Sequence, residues 1–588
     1  MGKYKEYSYE FVVAGGGMSG ICAAIAAARR GISTALVHNR SVLGGNASSE
    51  IRMHICGADY HMSVPNARET GILEEILLEN KRRNPEMVYP IFDTVLWEKV
   101  RYQKNLTLYL NTHMTDVVCE DEKIAGIYAE QLTTEKKFYL TGNLFLDATG
   151  DGVLGAKAGA EFRVGREGRE QYEESIAPEK EDHYTMGNSL MFKARDMGHK
   201  VEFIKPFWSN TYTEKQLRFR EHSDVTSGYW WIELGGGQYD VIGAGEEIRD
   251  ELLKALYGVW DHIKNGGDHG AEQMELEWVG FLPGKRESRR LLGDYVLNER
   301  DCLLGTEFED AVAYGGWPMD VHAVEGMLNE IEEPTVWNKV NGVYSIPYRC
   351  LYSKNIRNLF LGGRAISCSH AAFSSTRVMG TCAVVGQAVG VAAALAAKRR
   401  EEPRMLLNDI KVLQQELLKD DCYIPHVKNQ DEKDYGQKSS VSASHSIERY
   451  EPEHVKNGVA RTLGEESNCW KAFVKDKPSI SLAFDTPVSI REVRLVFDSN
   501  LSREITPSMN REVLARQEMQ PPSQLVKEYE VSTFLQGELT VSKQMNSNGQ
   551  RLQKLFFEGE KVDRMQVKVL STYGDEMACI YEIRVYES

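Results

Sequence analysis

Imidazole is the side chain best suited to carry a proton near neutral pH. Of the 14 histidines in the chain, three stand beside glycine- or serine-rich turns: His54 and His61 in IRMHICGADYHMS, and His370 in SCSHAAFSS, between Gly363 and Arg377. A histidine in such a place can act as a general base towards a bound molecule, or can simply be hydrogen-bonded into a packed wall. His370 is the favoured base, His54 a second catalytic candidate, and Arg377 a contact to substrate. Cys56 reads as a thiol nucleophile or a buried structural cysteine. In KRESRR, the group Arg286, Glu287, Arg289 and Arg290 can fix an anionic substrate or close an ion-pair network. No H-E-x-x-H, Walker A or G-x-S-x-G supplies rival machinery, and the ten cysteines never fall in a C-x-x-C pair, so no metal ligand is assigned.

These residues need a scaffold, and the scaffold is announced at the start of the chain. FVVAGGGMSGICAAIAAARRGISTALVHN, from Phe11 to Asn39, spells strand, glycine turn, small-residue helix and strand. Gly15 permits the sharp turn, Gly17 leaves room for a pyrophosphate, and Gly20 lets the helix lie close on the sheet. Met18 and Ser19 open the helix, whose N-terminus favours a diphosphate. The second strand ends at His38, where an acidic residue usually accepts the ribose hydroxyls. His38 or Asn39 would make one weaker contact, so the nucleotide must be held elsewhere too, which favours FAD over an exchanging NAD. Arg40 leaves a 2′-phosphate open.

Three further segments resemble FAD-dependent oxidoreductases of the glutathione-reductase-like superfamily. They are VLGGNASSEIRMHICGA after the second strand, LFLDATGDGVLG at Leu144 to Gly155, and NLFLGGRAIS at Asn358 to Ser367 followed by SSTRVMGTCAVVGQAVG. Within that superfamily the chain is similar to bacterial members labelled "xanthan-lyase-related" over about residues 10 to 420. The resemblance implies Gly44, Gly45 and Asn46 along the cofactor, Asp151 near it, and Gly363, Arg364, Gly386 and Gln387 around the flavin end. A helix starting near Gly380 would stabilise negative charge on a reduced flavin.

The expected fold class is α/β: a Rossmann-like FAD-binding domain with an inserted α+β substrate domain, plus a C-terminal all-β sandwich. The FAD domain is discontinuous, at 8–155 and 355–420, with the substrate domain at 156–354, a linker at 421–444 and a sandwich at 445–588. WKAFV, SISLAF, EVRLVF, EYEVSTF, RMQVKVL and EIRVY are the short alternating runs of that sandwich, which resembles a discoidin-like, galactose-binding-type module. Such a module either binds a sugar or packs on the enzyme. GTCAVVGQAVGVAAALAA, from Gly380, is long enough to span a membrane, but its Gly/Ala composition reads as a buried helix.

With 588 residues, 27% charged and a formal charge of −16, the chain is too long for one core and unsuited to nucleic acid or an anionic membrane. MGKYKEYSYE carries no signal-peptide pattern, so a cytoplasmic location is expected. The expected function is an FAD-dependent oxidoreductase passing hydride between flavin N5 and a small organic substrate, with sugars, polyols and glycosides as candidates. Two alternatives stay open: a redox-neutral flavin lyase acting on a carbohydrate, and a glycan-binding protein with a vestigial FAD fold.

Overall fold

The computed structural model describes residues 4–587. The chain forms two compact units. The first holds the residues up to Tyr60, Val88–Ile410 and Thr506–Arg516; the second holds His61–Met87, Lys411–Ile505 and Gln517 onward. These boundaries differ from those expected. The 61–87 helical segment groups with the C-terminal residues, and 506–516 returns to the first unit. The expected linker is partly sheet: Ser440–Ala443 pairs antiparallel with the Ser479–Phe497 strand, because a polar edge strand can still spend its backbone groups on a ladder.

The first unit is built on a mixed sheet of seven strands. β1 (Lys5–Ala14) runs into helix α1 (Met18–Arg29) and then β2 (Thr34–Val37), followed by β3 (Leu106–Tyr109), β4 (Thr112–Glu120), β5 (Lys123–Gln131) and β6 (Lys136–Asp147). Their order is β3-β2-β1-β6-β5-β4, and Leu359–Leu361 adds to β6. The four strand pairings β1–β2, β2–β3, β1–β6 and β6 with Leu359–Leu361 are parallel; β4–β5 and β5–β6 are antiparallel. Phe11, Val12 and Val13 are fully buried, as a strand covered on both faces requires.

The Met379–Arg399 helix lies against α1. A Cβ on Gly386 would sit 2.1 Å from the Ser19 carbonyl oxygen, and one on Gly390 2.2 Å from that of Ala23. The G-x-x-x-G stripe is therefore the seam between two helices, and the apolar helix is core: 89% of its most hydrophobic window is buried.

Between β6 and Leu359–Leu361 the chain inserts an antiparallel sheet centred on Asn188–Asp196, with Tyr229–Leu234, Met274–Val279 and Gly284–Lys285 as neighbours. The Gly245–Asn265 helix buries Ile248, Leu252, Ala255, Leu256, Val259 and Ile263, at the three- and four-residue spacing of one helical face. A two-stranded ribbon of Met319–His322 and Thr335–Asn338 completes the insertion's main features.

In the second unit one antiparallel sheet system orders its strands as Trp470–Phe473, Met577–Tyr586, Ser479–Phe497, Leu552–Thr572, Val526–Leu535 and Glu538–Met545. SISLAF and EVRLVF, expected as two strands, are one strand of 19 residues whose pairing shifts register between Ala483 and Val488. Such a break lets a long strand bend and serve both layers of a β-sandwich. Ile480, Leu482, Val493, Val567 and Ile583 form its core.

Candidate functional site

The glycine turn folds as its spacing requires. Gly15 stands at φ 110°, and a Cβ there would meet the Ala148 carbonyl oxygen at 2.1 Å; on Gly20 it would meet the Gly15 carbonyl oxygen at 1.9 Å. Both glycines answer to contacts inside the protein. Gly17 is different: it is the N-cap of α1, no side chain caps it, and nothing lies within 4 Å of where its Cβ would be. Its backbone faces an open cleft. Asp147, fully buried at the end of β6, shapes the opposite lip by accepting from Thr149 N–H (3.0 Å), Thr149 hydroxyl (2.7 Å) and Gly155 N–H (2.8 Å). The Gly44–Gly45 turn closes the third side, its Gly44 N–H donating to the Gly16 carbonyl at 2.9 Å.

Of the residues singled out from sequence, Gly15, Gly17, Met18, Ser19, His38, Asn39, Arg40, Gly44, Gly45, Asn46, Asp151, Gly363, Arg364 and Arg377 all line this one cleft. Four cationic side chains, Arg40, Lys285, Arg364 and Arg377, line it against the single carboxylate of Asp151. Burial would raise that carboxyl, but Lys285 at 2.7 Å and Arg364 at 3.5 Å hold it below the usual range. Arg40 is tied to Glu50 at 3.3 Å. Lys285, missed from the sequence, also offers its carbonyl to Asn46 Nδ2 at 3.2 Å. In a chain of net charge −16 this local excess of cations suits a diphosphate.

The cleft residues fit a flavin dinucleotide on their own evidence. Ser19 Oγ and Arg364 Nε, both on lining residues, are buried and make no hydrogen bond within the protein, and buried polar atoms are rarely left so without a partner. The N-terminus of α1 and the Gly17 backbone would hold the diphosphate. Arg364 and the start of the Met379–Arg399 helix, which brings Met379 and Cys382 to the wall, would lie towards the ring system.

His38 departs from expectation. It lines the cleft, but its Nδ1 accepts the Gly16 N–H at 3.0 Å and its Nε2 lies 3.0 Å from the Val42 carbonyl. No ring nitrogen remains for a ribose. The imidazole instead buttresses the glycine turn, and burial, helped by the charge of Arg40, pushes its pKa down to about 4.

Five other expected residues are not on the cleft: Gly20, which lies against the Gly15 carbonyl, and four more. Gly386 faces α1, as described. Gln387, next to it, is buried within the helix. His54 is packed away at 9% exposure. His370 belongs to a sealed ion cluster: its Nδ1 is 3.0 Å from Glu287, its backbone N–H donates to Glu167 at 2.8 Å, and Arg290 joins Glu287 to Glu167. Arg290 and Glu287 side chains have no exposed surface. Burial would raise the Glu287 carboxyl, but His370 and Arg290 bring it below the carboxylate range. Of KRESRR, Glu287 and Arg290 therefore serve a structural network; His370 does not line the cleft, so the base role expected of it has no support there, while its Nε2 is buried without a hydrogen-bond partner.

A second network does reach the cleft. Arg377 donates to Asp320 Oδ2 at 2.7 Å; His322 Nε2 lies 3.2 Å from the same oxygen, and its Nδ1 lies 2.9 Å from Glu233, which also pairs with Arg286. Arg377 Nε, buried on the cleft wall, has no hydrogen-bond partner. Burial would raise Asp320, but His322 and Arg377 hold it well below the usual carboxylate range. Sequence reasoning found Arg377 and missed Asp320, His322 and Glu233, which come from two strands, Met319–His322 and Tyr229–Leu234, with no local motif. Asp320 is the register partner of Trp337, so the two share a face of the ribbon. Trp337 is 42% exposed and stands 6.0 Å from Tyr60 and 5.7 Å from Trp317, centre to centre.

The chain belongs to the FAD dependent oxidoreductase family, whose model matches residues 10–417. It is accordingly an enzyme with FAD as its cofactor. No curated protein matches it in sequence. Among solved structures, a Streptococcus pneumoniae fucose binding module is similar at 10% identity, covering 26% of this chain and 95% of that one with a TM-score of 0.21. The family 32 CBM from C. perfringens NanJ, in complex with galactose, is similar at 13% identity, covering 26% of this chain and 98% of that one with a TM-score of 0.20. At these scores the likenesses carry no argument about what the second unit binds.

Proposed function

We propose that this enzyme passes hydride between bound FAD and a small hydroxylated organic molecule, of the size and polarity of a sugar, polyol or glycoside. FAD supplies the two-electron chemistry when bound. The chain's residues do the rest. The α1 N-terminus and the cationic wall fix the diphosphate. Arg377, steered by Asp320, presents a guanidinium edge into the cleft and orients a substrate oxygen. Asp320, with His322 behind it, fixes the direction of that guanidinium, and the proton of the substrate oxygen is exchanged with water in the open cleft. The Trp337 ring, on the same face as Asp320, offers the flat apolar surface that the C–H side of a pyranose needs.

The single observation that carries this reading is the unpartnered Arg377 Nε on the cleft wall, backed by a buried carboxylate–histidine pair. The test is anaerobic mixing of the yellow holoenzyme with a panel of sugars, polyols and hydroxy acids. Bleaching by a hydroxylated substrate, slowed in Arg377→Ala, supports it. Bleaching of wild type and Arg377→Ala at equal rates would remove Arg377 from substrate orientation.

A further inference from the structure

A second cluster, on the inserted part of the first unit, has nothing to do with the cleft. Glu214 opens a one-turn helix, Glu214–Leu217, held by a capping box between Thr213 and Gln216. His222 follows a few residues on. His262 lies in the last turn of the Gly245–Asn265 helix, and His269 lies just beyond its end, past Gly267 at φ 101°. Three histidines and one carboxylate thus converge from two stretches of chain some forty residues apart.

Their geometry is that of a ligand set. The Nε2 atoms of His262, His222 and His269 stand 2.9, 3.5 and 3.8 Å from the same oxygen, Glu214 Oε2. The four candidate donor atoms all lie within 4.8 Å of one another. The ring centres are 4.7 to 5.5 Å apart. A tetrahedral zinc with bonds of about 2.0–2.1 Å separates its ligand atoms by roughly 3.3 Å, so the set needs only small side-chain adjustments.

Hydrogen bonding alone accounts poorly for the arrangement. Three imidazoles point at one carboxylate oxygen, and only His262 makes a hydrogen bond to it. His269 Nε2 is buried and makes none, the Asp268 carboxylate at 3.4 Å lying out of line. The side chains of His222, His262 and His269 are only 8%, 11% and 13% exposed. His222 is also oriented as a metal ligand usually is: its Nδ1 lies 2.7 Å from the Arg220 carbonyl, which fixes the ring and leaves the Nε2 lone pair facing the centre of the cluster.

We infer that Glu214, His222, His262 and His269 bind a divalent transition metal, zinc, in a four-coordinate structural site. Three neutral imidazole nitrogens and one carboxylate oxygen are a borderline donor set that suits zinc and is too poor in oxygen for magnesium or calcium. The protein fills all four positions, and none of the four residues lines the flavin cleft, so the ion clamps rather than catalyses. It ties the C-terminal end of the Gly245–Asn265 helix, and the loop after it, to the 214–222 segment.

The test uses tag-free, full-length holoenzyme. After dialysis, metal analysis is expected to find about one zinc per chain. His269→Ala and Glu214→Gln should lose that zinc while keeping the flavin content of wild type, whereas His199→Ala, on an exposed loop, should keep both. Should a variant fail to fold, the wild type decides alone: chelator should strip the zinc and lower the melting temperature, and zinc but not magnesium should restore both. Wild type that holds no zinc after zinc is supplied, or a His269→Ala protein with undiminished zinc, overturns the site.

Discussion

The ion networks around His370 and His322, both in the first unit, do opposite work. Around His370, the partners Glu167, Glu287 and Arg290 are sealed from solvent and from the cleft. Around His322, the partners Glu233 and Asp320 are buried and Arg286 is partly so, and the network ends on Arg377, whose guanidinium forms part of the cleft wall. The difference teaches that a charged cluster acquires a chemical role through the one member that breaches the wall. Position in the sequence misleads: His370 is seven residues from Arg377, yet its ring belongs to the other network.

The largest effect expected from breaking this contrast is on stability. His370→Ala takes the imidazole from a fully buried Glu287, leaving it to Arg290 and the Met186 N–H, and should cost roughly 3–5 kcal/mol of unfolding free energy. Denaturant unfolding measures that cost, and the flavin reduction rate of the folded fraction should be that of wild type. Arg377→Ala should show the reverse: a fall in substrate-driven flavin reduction of about 10²–10³-fold, the usual cost of one oriented donor, in stopped-flow traces, with a smaller change in stability. If His370→Ala slowed reduction while Arg377→Ala did not, the two networks would have to exchange roles.

A subtler effect comes from His38. Its pKa of about 4 lies below the ordinary 6.5, so between these values the folded protein binds fewer protons than the unfolded chain. The contribution is fully present above pH 6.5 and is lost as pH falls towards 4, a total of roughly 3 kcal/mol. Protonation at Nδ1 would also end its acceptance of the Gly16 N–H, so flavin release should accompany the loss. Urea titrations at pH 7 and pH 5 measure it, and His38→Gln should flatten the difference.

Much of the cleft was legible because glycine spacing reports backbone geometry directly: Gly15, Gly17 and Gly20 have one structural explanation each, and Gly44, Gly45, Asp151 and Arg364 came with motifs in fixed order. Side-chain direction was not legible. Gly386 was placed at the flavin end, but with Gly390 it marks a close approach to α1. His38 was read as a weak ribose ligand because the sequence shows the missing carboxylate and hides the Gly16 and Val42 contacts that occupy the ring. Glu233, Asp320 and His322, like Glu214, His222, His262 and His269, are scattered along the chain, and only tertiary packing brings each set together. In the second unit the alternating runs announced an antiparallel fold, while the fusion of SISLAF and EVRLVF depended on a register shift that periodicity does not encode.

The central claim is that the Gly17 backbone leaves its side of the cleft open for FAD. The most direct measurement is the flavin content of folded wild type and Gly17→Val. Nothing within 4 Å of the Gly17 Cβ position obstructs a side chain in the protein itself. The variant should therefore fold with wild-type stability in the absence of flavin and remain colourless when FAD is added, while wild type takes up about one FAD per chain. A folded Gly17→Val protein carrying as much FAD as wild type, or folded wild type that takes up none, would contradict the account.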